Sequence, residues 1–482
     1  MKKMLSKRPK TIQLLAIMGI FLLAACSSTG GGAEPQVEEQ TTDVATDVVE
    51  EAAPEVDESE SEEMADEEMA EEEMAEDESE SEEMAESESE EMADEEMTEE
   101  APTSEPVEEP AAEAEEETIV LEDGTVIFTT DDRSSRLQSL TSSWNTNWEL
   151  RTISTADILS GGPPRDGIPS IDDPKFISPA EAEAWLADVE PVVVVEFDGD
   201  ARAYPLQILT WHEIVNDTVG SVPVVVTFCP LCNSAIVFER VVEGEVVEFG
   251  VSGLLRNSDL IMYDRTDESL WQQFTGEGII GNHAGKQLTF LPSSLVSFAD
   301  FKAAFPEGVV LSRDTGFDRQ YGNNPYAGYD TIGSNPFLFS GELDGRLPAV
   351  ARVVTVSLPE VDVAYPVDLL SQVGVIQDTQ GGQDMVVFHI PGTASALGAR
   401  VIAEADDVGA TGVFDPNLNG EKLTFTRDGD SFIDDQTGSR WNILGQAIEG
   451  ELAGSELTNV IHADHFWFSW AAFRPDTILY QQ

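Results

Sequence analysis

The chain holds three cysteines, and two of them, Cys229 and Cys232, stand three positions apart around Pro230 and Leu231. They follow directly on the apolar run 222–228. Three chemistries fit such a pair. In the first, the pair ligates a metal: thiolates favour Zn or Cu(I), and two intervening residues let both sulfurs face one ion. A closed tetrahedral site needs two more ligands, drawn from His212, His283, His389, His462 and His465. His212 is the favoured one, because the helix that carries it runs into the cysteine-bearing strand through a short turn. No second cysteine pair accompanies the first, which tips the balance toward Cu(I) or an incomplete, exposed site. In the second chemistry the thiols cycle through a disulfide. A thioredoxin-type pair starts a helix, whereas residues 235–240 read as another strand, which argues against that fold but not against redox chemistry. The third is a structural disulfide in an oxidising compartment. Its ring is so small that it would stabilise the fold only slightly.

Four further residues are secondary candidates. Glu213 adjoins His212, but adjacent residues on a helix do not face each other. Asn233 follows Cys232 directly. His389 and His465 belong to the histidine pool. His462 and His465 have the three-residue spacing of helical ligands, yet they precede an aromatic run (Phe466, Trp467, Phe468, Trp470, Phe473) that reads as core. The chain contains no phosphate loop, no Gly-x-Ser-x-Gly elbow, no His-Glu-x-x-His and no haem-attachment motif.

The elements that must position these residues are mostly strands. Strand-like runs cover 192–197, 222–228, 235–240, 246–251, 352–357 and 385–389, with turn signals such as Asp198-Gly199 and Gly244 between them. Helix-like stretches are few: 179–188, 206–215, 298–305 and 464–473. One segment recurs. Ala203-Tyr204-Pro205 returns as Ala364-Tyr365-Pro366, and at the same offset Asp217-Thr218 matches Asp378-Thr379 and Val225-Val226 matches Val386-Val387. The expected fold is therefore a β-rich α+β domain. It contains an internally duplicated strand–helix–strand–strand unit plus hairpins, with its two copies related by a pseudo-two-fold. Residues 119–190 lead in, 191–340 form the first copy and 341–482 the second. Residues 312–340, rich in Asn, Gly, Pro and Tyr, connect the copies as a long packed loop. The second copy has Ile390, Thr393 and Val373 where the first has Cys229, Cys232 and His212. That asymmetry points to a single site, in the first copy.

The N-terminus predicts where the domain works. Lys2, Lys3, Lys7, Arg8 and Lys10 precede a short apolar run that ends Leu23-Ala24-Ala25-Cys26. The run is about ten residues long, against the roughly 20 that span a bilayer. Residues 1–25 thus read as a lipoprotein signal peptide, with Cys26 as the lipidated residue. The expected setting is extracytoplasmic, tethered to a bacterial membrane through that lipid. Residues 34–118 hold 41 acidic residues and no Lys or Arg, so the whole of 26–118 is expected to be a disordered, self-repelling stalk. The net charge of the chain is −69, of which −33 falls on residues 119–482. That charge argues against nucleic acid as a partner, since phosphate binding needs a basic face.

Several of these segments carry a family resemblance. Trp211-His212-Glu213-Ile214-Val215-Asn216-Asp217 and Thr227-Phe228-Cys229-Pro230-Leu231-Cys232-Asn233-Ser234-Ala235, with Ser252-Gly253-Leu254-Leu255-Arg256-Asn257-Ser258-Asp259 and His465-Phe466-Trp467-Phe468-Ser469-Trp470, resemble a family catalogued as domain of unknown function 3179. The likeness covers roughly residues 150–480 and implies no established reaction. The function expected from the residues alone is an anchored protein that binds or handles a thiophilic metal, Cu(I) or Zn. A thiol–disulfide redox protein and a surface interaction module with a structural cysteine pair remain the alternatives.

Overall fold

Pro191–Phe197 reads Pro-Val-Val-Val-Val-Glu-Phe, and its first five residues are buried. A run of β-branched residues buried on both faces makes an inner strand. It folds back on Asp200–Pro205 through Asp198-Gly199, whose φ values of 57° and 81° fit the tight two-residue hairpin turn that Asp-Gly favours. Ser294–Ser297 pairs on the outer side of the first strand, and Val309–Leu311 runs parallel to the second. Leu206–His212 then forms a two-turn helix, and Ile214–Val219 and Val222–Cys229 form the next hairpin, extended by Ser234–Glu239. A third hairpin, Phe249–Arg256 with Asp259–Asp264, belongs to an eight-stranded sheet. Residues before 190 complete that sheet through Thr118–Val120, Val126–Thr129, Leu150–Arg151 and Ile158–Ser160.

The computed structural model describes residues 117–481, all within the unit Val107–Gln482. The expected leader, the lipidation site Cys26 and the acidic tract up to residue 116 lie outside the described residues. No described helix is long and apolar enough to cross a membrane.

The expectation of a two-fold α+β arrangement is overturned. The described residues are 40% strand and 12% helix, and their strands are divided among small sheets in a propeller-like ring. The physical reason lies in element length. Leu206–His212, Phe298–Ala304, Val367–Val373 and Trp467–Phe473 are seven residues each, about two turns, so they cap sheet ends and cannot build a helical layer. Part of the expected last helix is instead the strand Ala463–Phe466. The repeat survives only as a loose likeness between blades. Arg352–Leu358 and Val361–Pro366 have a flanking antiparallel strand and a parallel one, Ala463–Phe466 and Ile478–Leu479, in the order seen around Pro191–Phe197. Tyr204 donates to Asp217 at 2.6 Å, as Tyr365 does to Asp378 at 3.0 Å.

Candidate functional site

Cys229 closes the Val222–Cys229 strand, opposite Ser234. The four residues between them turn tightly: the Cys232 amide donates to the Cys229 carbonyl at 3.3 Å, and the Asn233 amide to Pro230 at 3.2 Å. Asn233 takes φ 50°, the left-handed conformation that Asn tolerates better than most residues. The cysteines therefore lie in a hairpin turn. Both are unbridged, and they are 2% and 0% exposed.

The third member of the site is Asp259, from the neighbouring hairpin. That hairpin turns through Asn257 and Ser258, both with positive φ (52° and 65°), and so brings the first residue of Asp259–Asp264 against the cysteines. Ligand atoms of Cys229, Cys232 and Asp259 all lie within 4.8 Å of one another. Asp259 Oδ2 accepts from Gln272 Nε2 at 2.6 Å and from the Phe274 amide at 2.9 Å, while Oδ1 has no hydrogen-bond partner among the described residues. Burial outweighs those bonds and pushes the Asp259 carboxyl up to about 7. The Cys229 thiol reaches the Ser258 carbonyl at 3.7 Å.

A fourth acid stands close by. Glu213 ends the Leu206–His212 helix at φ 58° and is 7% exposed. Burial, and then the Asp259 charge, push its carboxyl up to about 8. Burial likewise raises both thiols, with the charges of Asp259 and Glu213 adding at Cys229. Every charged neighbour that shifts Glu213 and the two thiols is itself an acid.

The connecting loop covers this cluster. Tyr329 donates to the Leu231 carbonyl at 3.0 Å and accepts from the Phe337 amide at 3.2 Å. The Ser258 hydroxyl donates to the Phe337 carbonyl. Burial, followed by the charges of Glu213 and Cys229, raises the Tyr326 phenol.

His212 does not join the cysteines. Its Nδ1 donates to the Pro169 carbonyl at 2.7 Å, and Nε2 accepts from the Tyr321 hydroxyl at 2.6 Å. Burial holds it neutral, with its pKa lowered to about 4. The helix stops at His212 and the next residue, Glu213, turns left-handed; it lies outside the 4.8 Å cysteine group, and the site feels it through its charge. His389 is buried in Gln383–Ile390, with both ring nitrogens unpartnered among the described residues. His465 packs against Phe274 and Trp470, with ring centroids at 4.3 and 5.7 Å. Neither belongs to the cysteine group. Asn233 is 1% exposed, and its Nδ2 has no partner among the described residues.

Sequence reasoning missed Asp259 as a site residue. The available signal was an acid opening the otherwise apolar run Leu260-Ile261-Met262-Tyr263, directly after Asn257-Ser258. A second group, Asp264, Asp267 and His283, also converges. Asp264 there accepts from the Trp271 indole at 2.9 Å and the Asp267 amide at 3.0 Å. Asp434 does the same with Trp441 at 3.0 Å and the Thr437 amide at 2.6 Å, so this carboxylate shapes a recurring turn.

No curated protein and no solved structure matches the chain. A family model described as a protein of unknown function matches residues 165–477, spanning the cysteine turn, the Asp259 hairpin and the covering loop. The chain thus belongs to the DUF3179 family.

Proposed function

We propose that this protein binds a divalent thiophilic metal, zinc above all, through Cys229, Cys232 and Asp259, with Glu213, a nearby acid outside the 4.8 Å group, moving in as fourth donor. The carrying observation is the convergence of two thiols and a carboxyl within 4.8 Å, fully buried. Donors held about 2.3 Å (sulfur) and 2.0–2.2 Å (oxygen) from one zinc ion stand roughly 3.5–4 Å apart, inside that span. Four buried acids with only acids for charged neighbours are costly as anions; a dication offsets that cost and lowers their pKa values. A carboxylate donor favours zinc over Cu(I), which prefers sulfur alone. The same observations weigh against a redox role. Reactive thiols have lowered pKa values beside cations or helix N-termini, and here burial among acids raises them.

The setting is part of the proposal: export by the leader, a lipid on Cys26, and the metal site held off the membrane by the acidic tract. Metal analysis of the anaerobically purified chain tests the site. About one zinc per chain is expected, lost in the Cys229→Ser/Cys232→Ser variant. Equal metal in both would sink the reading.

A further inference from the structure

Beside the cysteine site lies a cavity of about 240 Å³ that none of the four proposed donors lines. Its walls are largely aromatic and aliphatic: Phe274, Phe290 and Trp470, with Ile236, Leu291 and Ile461. Six polar side chains interrupt them, Ser293 and His462 among them, and three features of the other four matter here. The first is His465, 2% exposed, whose Nδ1 has no hydrogen-bond partner among the described residues. A buried nitrogen left unpaired is costly, and each one calls for an explanation. The second is Arg474. Its Nη1 donates to the Phe473 carbonyl at 3.2 Å and its Nε stands 3.5 Å from Asp362, so Nη2 is the nitrogen with no hydrogen-bond partner among the described residues. The third is a pair of hydroxyls on one strand, Thr355 and Ser357, which already donate to the Ala463 carbonyl and to Asp362. Arg474 is also near enough to His465 for its charge to help keep the imidazole neutral.

We propose that this cavity is a binding site for a small aromatic monocarboxylate, with the acid on Arg474, the ring against Phe274 and Trp470, and His465 as hydrogen-bond partner. Arg474 Nη2 can donate one charge-assisted hydrogen bond to a carboxylate oxygen. A phosphate, with its greater charge, would meet only one cation, Arg474, among the lining residues. Apolar walls with a few placed polar groups are what small-ligand sites present. The proposal is independent of the metal reading, since it uses none of the metal donors.

The test uses 4-fluorobenzoate as probe and fluorine NMR on the full chain, with 4-fluorobenzamide as the uncharged match. Broadening by the wild type is expected at submillimolar to millimolar concentrations. Arg474→Gln and the amide probe should each weaken binding about tenfold, the scale of one charge-assisted hydrogen bond. Arg474 is a third exposed, so this variant should fold, and unchanged near-ultraviolet circular dichroism checks that it does. Three outcomes would each overturn the proposal: no broadening at 5 mM (about the limit of useful affinity), equal binding of acid and amide, or equal binding by wild type and Arg474→Gln.

Discussion

Glu213 and Gly374 hold the same backbone position in two recurring segments. Each ends a seven-residue helix in the left-handed region, at φ 58° and 75°. Each passes its carbonyl to the amide of an inner strand, Phe228 at 2.8 Å and His389 at 3.0 Å. Gly adopts this conformation freely, whereas a residue with a side chain meets strain of about 1–2 kcal/mol there. Strain retained beside a cluster of buried acids marks a residue kept for what its side chain does.

Glu213→Gly should therefore stabilise the metal-free protein by about 1–2 kcal/mol while weakening metal binding. Urea unfolding with and without a strong chelator measures both. A variant less stable than wild type in chelator contradicts the account of strain.

Asp259→Asn keeps an oxygen for Gln272 and the Phe274 amide but removes the charge. Folding should survive, while zinc affinity, read by competition with a chromophoric chelator, should fall at least tenfold. Unchanged affinity would remove Asp259 from the ligand set.

His212→Ala should leave zinc content unchanged and cost about 1–3 kcal/mol, since it orphans the Pro169 carbonyl and leaves the Tyr321 hydroxyl with Thr315 alone. Denaturation and metal analysis on one preparation decide the matter. Loss of zinc without loss of stability would restore His212 as a ligand.

His465 gives a pH signature. Burial, then the Arg474 charge, lower it from 6.5 to about 3 in the folded protein. Between those values the unfolded chain binds more protons, so this stability is complete above pH 6.5 and is lost as pH falls toward 3. From pH 7 to 5 the wild type should lose about 2 kcal/mol more than His465→Gln. Parallel stability–pH curves for the two proteins would refute the assignment.

Much of the strand pattern was legible in the sequence, because β-branched runs such as 192–195 and two-residue turns such as Asp198-Gly199 are local signals. The cysteine pair was legible for the same reason. The ring of sheets was not, since a repeat in sequence does not say how sheets pack. Asp259 was hidden because its role depends on a hairpin 27 residues after Cys232, brought in by the left-handed pair Asn257-Ser258. His212 misled because adjacency along the chain was read as adjacency in space. The helix ends there in one left-handed residue, Glu213, and His212 bonds to Pro169 and Tyr321 instead.

The loop that spans the two recurring segments also has a kinetic meaning. Tyr329 is fastened to Leu231 within the cysteine turn, and Phe337 to Ser258 within the Asp259 hairpin. An ion bound beneath it, as proposed, would leave when those fastenings open, so its residence time would follow the frequency of that local opening. A site gated in this way suits a resident ion better than a shuttled one.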